Sequence, residues 1–126
     1  MLTSEKTLDQ SETLLKKAIK YVENRGFKNI KTKLDGYESP NSFAQKKEDN
    51  EYTPDITAEN ARGKFYFEIA QKTDKVNSLV SKWKLLATLA EMKNGGFSIL
   101  VPYGLNKFTE DLVNNYKIDA NLIKMS

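Results

Sequence analysis

The sequence predicts an α/β fold with its elements in the order αβββαβαβ, and three observations carry that reading. Apolar residues recur at helical spacing over Leu8–Val22, Val76–Ala90 and Leu105–Val113. Between and after these stretches lie short β-prone runs. Lys64-Phe65-Tyr66-Phe67-Glu68-Ile69-Ala70 is the strongest of them, and Phe97-Ser98-Ile99-Leu100-Val101 is the most continuously apolar. Asn24-Arg25-Gly26 and Asn94-Gly95-Gly96 stop two of the helices where a strand is due to begin.

Taken in order, Thr7-Leu8-Asp9-Gln10 reads as a capping box opening the first helix, whose apolar stripe is Leu8, Leu15, Ala18, Ile19 and Val22. Phe27–Leu34 is a predicted strand, Asp35-Gly36 a turn, and 38–51 a polar loop, long for so small a domain. Tyr52–Ala58 is a short strand with Pro54 near its start, where a missing backbone donor is tolerated. Asn60–Gly63 then turns the chain into Lys64–Ala70. The second helix follows Thr73-Asp74, Phe97–Val101 is a strand buried on both faces, Gly104–Tyr116 is a shorter helix, and Ala120–Met125 is a last, edge-like strand.

The 126 residues suffice for one domain with its own core, 1–126, and 39% apolar content with six Phe, six Tyr and one Trp fits a globular chain. The absence of Cys and His removes disulfides, thiol nucleophiles, imidazole bases and soft metal sites. Any metal would therefore be a hard, oxygen-bound ion. No apolar run approaches the roughly 20 residues that span a bilayer, and no basic-then-apolar leader is visible, which predicts a cytoplasmic protein without a membrane partner.

A net charge of +3 and a pI of about 9.0 permit a nucleic-acid partner without requiring one. The charge is unevenly spread: eight cations stand against four anions from Glu5 to Lys33, and five anions against two cations from Asp35 to Glu51.

Three carboxylates stand where apolar residues are expected. Glu12 lies four residues after Leu8 and three before Leu15, on or beside the helical stripe. Glu68 sits between Phe67 and Ile69; alternation puts Phe65, Phe67 and Ile69 on one face and Lys64, Tyr66, Glu68 and Ala70 on the other. Asp55 precedes Glu68 by thirteen residues across a tight hairpin, so pairing in register brings the two carboxylates together. Two close carboxylates repel unless a cation lies between them, and Mg²⁺ held by one or two carboxylates, with water and phosphate, suits such a pair.

Pro54-Asp55, followed by Glu68-Ile69-Ala70 within this order of elements, resembles the PD-(D/E)xK nuclease superfamily, the restriction-endonuclease-like fold. The resemblance spans about Leu8 to Pro102, and Ser81–Leu86 with Gly96–Pro102 is also similar to the helix and strand that follow the motif in several members. It implies a central mixed sheet flanked by helices, Mg²⁺ or Mn²⁺ bound by Asp55 and Glu68, and an accessory carboxylate at Glu12. The departure is Ala70, where the family carries lysine. Lys72 is the nearest replacement, two residues further along the same strand face, and Lys82 on the following helix is the second. Lys75, Lys82 and Lys93 would form a basic stripe on that helix.

The resemblance thus implies metal-dependent hydrolysis of DNA phosphodiester bonds, with Asp55, Glu68, Lys72 or Lys82, and Glu12 as the site. The basic first and second helices would hold phosphates, the 38–50 loop would meet substrate, and a homodimer through the Leu122-Ile123 edge would act on both strands. The alternative is a catalytically inactive member of the fold that binds nucleic acid or a partner protein, consistent with Ala70.

Overall fold

The computed structural model describes residues 2–44 and 51–125, with side chains from residue 11 onward. Helix α1 spans Leu2–Asn24 and runs unbroken through Thr7–Gln10, so that segment is not the helix start; its side chains lie outside the described residues. Leu15, Ala18, Ile19 and Val22 form the buried stripe, while Lys16, Lys17 and Lys20 face solvent. Gly26, at φ +83°, ends the helix in the left-handed conformation open to glycine.

Strand β1 is Lys28–Thr32, shorter than the sequence suggests and bulged between Lys28 and Lys31. The 38–51 segment is not wholly irregular: β2, Phe43–Ala44, pairs antiparallel with β3, Glu51–Tyr52. Residues 45–50, with Lys46, Lys47, Glu48 and Asp49 of the acidic stretch, lie outside the described residues.

The expected strand Tyr52–Ala58 is divided. Tyr52 belongs to the ribbon, and the sheet strand β4 begins only at Ile56 and runs to Glu59. Pro54 has no N–H to give a ladder, and the Asp55 N–H is taken by a side chain, so the chain between them cannot pair as a strand. β5, Lys64–Ile69, follows a turn in which the Asn60 side chain accepts from the N–H groups of Arg62 and Gly63. Helix α2 (Val76–Met92), β6 (Phe97–Val101), α3 (Asn106–Asn115) and β7 (Asn121–Lys124) complete the chain.

The result is α/β, with a mixed five-stranded sheet in the order β1-β4-β5-β6-β7. The first three strands are antiparallel neighbours, and β5, β6 and β7 run parallel. Both crossovers step the same way along the sheet and put α2 and α3 on one face. There Val80, Trp83, Leu86 and Ala90 of α2 and Leu112 of α3 bury Tyr66, Ala70, Ile99 and Val101. α1 covers the other face over Ile56, Ala58, Phe67 and Leu100, so the alternation read along Lys64–Ala70 holds. β6 is buried at all five positions because both faces are covered. Among the described residues no helix is long and apolar enough to cross a membrane.

Candidate functional site

The β4–β5 hairpin sets the site. Its register pairs Ile56 with Phe67, and one step outward stand Asp55 and Glu68, directly opposed. The two residues clasp each other's strand through backbone donors. The N–H of Asp55 donates to Glu68 Oε2 at 2.8 Å, and the N–H of Ile69 donates to Asp55 Oδ2 at 2.9 Å. Each carboxylate thus replaces a ladder bond that the broken strand before β4 does not supply.

Glu68 is 3% exposed, a costly place for a charge unless it is paired. The partner comes from α2: Lys82 Nζ stands 3.0 Å from Glu68 Oε1. Burial and the neighbouring Asp55 charge push the Glu68 carboxyl up to about 8, against the opposing pull of Lys82 and of the Asp55 N–H.

Among the described residues no group of three or more metal-ligating side chains occurs. Asp55 and Glu68 offer two hard carboxylates, the class of donor that Mg²⁺ and Mn²⁺ take, with both Glu68 oxygens engaged by the Asp55 N–H and Lys82 Nζ.

Lys82 also forms one wall of an open cleft of about 300 Å³ whose other walls include Glu51, Tyr52, Thr73, Lys75 and Ser78. The cleft lies at the N-terminal end of α2, whose first turn carries no acidic residue. Thr73 Oγ1 accepts from the Lys75 N–H at 3.0 Å and fixes the approach to the helix.

Of the residues read from sequence, Asp55, Glu68 and Lys82 come together. Lys72 does not join them. β5 ends at Ile69, the alternation carries only as far as the buried Ala70, and Lys72 is exposed without a described partner. Glu12 stands apart as well: exposed on α1, it pairs with Lys16 at 3.1 Å, and α1 packs on the sheet face opposite Glu68. The first-helix cations share that opposite face. Lys75 and Lys82 border one cleft, but Lys93 is past the far end of α2, roughly 16 Å from Lys82 and 27 Å from Lys75 along the helix. Ala70 is buried among Trp83 and its neighbours, so the site's cation arrives from the helix above. Thr73 and Ser78 of the cleft were not singled out in the sequence; the hydroxyls flanking Lys75 at a helix start are the signal that marks them.

The chain matches no protein-family model, no curated protein and no solved structure.

Proposed function

We propose that this protein is a metal-dependent nuclease of restriction-endonuclease-like architecture that hydrolyses DNA phosphodiester bonds in the cytoplasm. The observation that carries the reading is the meeting of Asp55, Glu68 and Lys82 where β5 ends and α2 begins. Open α/β sheets present such groups at the carboxyl ends of parallel strands, beside helix N-termini that favour anions.

In this reading Asp55 and Glu68 would hold Mg²⁺ or Mn²⁺, which when bound would supply an activated water and offset phosphate charge. Lys82 would orient the attacking water or steady the charge that develops on phosphorus oxygens. Lys75, Thr73 and Ser78 receive a backbone phosphate in the cleft without reading sequence.

A second reading has its own support. Both Glu68 oxygens are already engaged, as in a structural ion pair, and a binding-only member of the fold would keep that arrangement without a reaction.

Cleavage of supercoiled plasmid, single-stranded DNA and branched DNA with Mn²⁺, Mg²⁺ or EDTA, beside Asp55→Asn, separates the two. Metal-dependent nicking abolished by the substitution is the expected outcome; DNA binding unaffected by EDTA, without cleavage, favours the second reading.

A further inference from the structure

The α1 face of the sheet is incompletely covered. α2 and α3 both lie on the opposite face, and α1 rests over β4, β5 and part of β6, so Ile123 and Met125 stay half-buried beside it. With Leu100 they floor an open groove of about 350 Å³, bordered by Lys17 and Lys20 from α1 and Lys124 from β7. None of these three lysines has an ion-pair partner among the described residues, although the adjacent Lys16 does. β7 is also the edge of the sheet, with one side of its backbone unpaired among the described strands. Edges are usually blunted by charge, twist or cover, because they template a further strand.

We propose that the groove and the β7 edge bind an extended segment of a partner protein rich in carboxylates and apolar side chains, added as a strand beside Asn121–Lys124. Its backbone would bond the open edge, its apolar side chains would cover Ile123 and Met125, and its carboxylates would meet Lys17, Lys20 and Lys124. A second copy fits poorly, since the strand it would add, Asn121–Lys124, carries no carboxylate to meet Lys17, Lys20 and Lys124. DNA also fits poorly, because the floor is apolar and the groove lies across the sheet from Glu68 and Lys82. The proposal stands independently of the nuclease reading.

The test uses the intact chain and fluorescence anisotropy of labelled peptides made of repeated Glu-Val, Lys-Val or Glu-Gly. Only the Glu-Val peptide is expected to bind, weakening by about tenfold or more in Lys17→Glu/Lys20→Glu, two exposed sites that leave the core untouched, and unchanged in Lys107→Glu on α3. The proposal is overturned by absence of Glu-Val binding, by equal binding of Lys-Val, or by indifference to the double substitution. It is also overturned if sedimentation shows a dimer that the double substitution alters, or if duplex DNA displaces the peptide.

Discussion

Lys82 reaches Glu68 from the helix that follows the strand, its Nζ 3.0 Å from Oε1, while the strand position nearest that carboxylate on the same face is the buried Ala70. The cation is thereby tied to the docking of α2 on the sheet, and the charge of the site depends on packing between two elements.

Replacing Lys82 with Met removes the attraction that favours ionised Glu68, so the carboxyl moves further up. Cleavage at neutral pH is expected to fall by at least about a hundredfold, with the acid limb of the pH–rate profile shifted upward. Lys82→Arg keeps the charge and should keep that limb near its original place. Single-turnover rates across pH 5 to 10, as an assay range of about five units, read both effects.

Glu68 also governs stability against pH. In the folded chain it keeps its proton to about 8, whereas unfolded it releases it near the ordinary 4.5. Between those values the folded state binds more protons, so this group's contribution is full below the lower value and is lost as pH rises through the upper one. Urea unfolding should show the metal-free protein losing a few kcal/mol over that window. Glu68→Gln, neutral throughout, should flatten the slope.

Asp55→Asn preserves an acceptor for the Ile69 N–H and removes the charge that opposes Glu68 ionisation. Mn²⁺ affinity, measured by titration calorimetry, should drop by about tenfold or more. The metal-free variant should nonetheless be more stable than wild type at pH values near the Glu68 transition. In the wild type the affinity should climb with pH up to that transition, because binding expels the Glu68 proton.

Gly95→Ala tests the junction at the other end of the sheet. A Cβ there would collide with the Lys64 carbonyl oxygen, with no flexible side chain to yield. A loss of at least about 3 kcal/mol is expected. The single Trp83, fully buried, supplies the fluorescence that reports it.

Much of this was legible in the residues. Asp55 and Glu68 stand five positions either side of the Asn60–Gly63 turn, so hairpin register alone opposes them. The face alternation of β5 and the double burial of β6 were legible for the same reason, a period fixed by the backbone. What sequence could not supply was the element lengths. Extending the β5 alternation favours Lys72, but the strand stops at Ile69, and only the crossover geometry brings Lys82 down onto Glu68. Glu12 reads as part of the apolar stripe because its spacing is ambiguous by one helical step, and the Lys16 pairing resolves it outward. The mutual clasp of Asp55 and Glu68 was hidden because both bonds depend on the strand failing before Ile56.

The split origin of the site has a kinetic meaning. Asp55 and Glu68 are joined by a local hairpin, an event of microseconds, whereas Lys82 arrives only after α2 and the parallel β5–β6 pairing have closed a longer loop. A refolding chain therefore brings its two negative groups face to face before their counter-charge is present. Refolding should accordingly slow as pH rises through the ordinary glutamate value of 4.5, where Glu68 of the unfolded chain becomes charged, with unfolding less affected, a signature of early repulsion in the transition state.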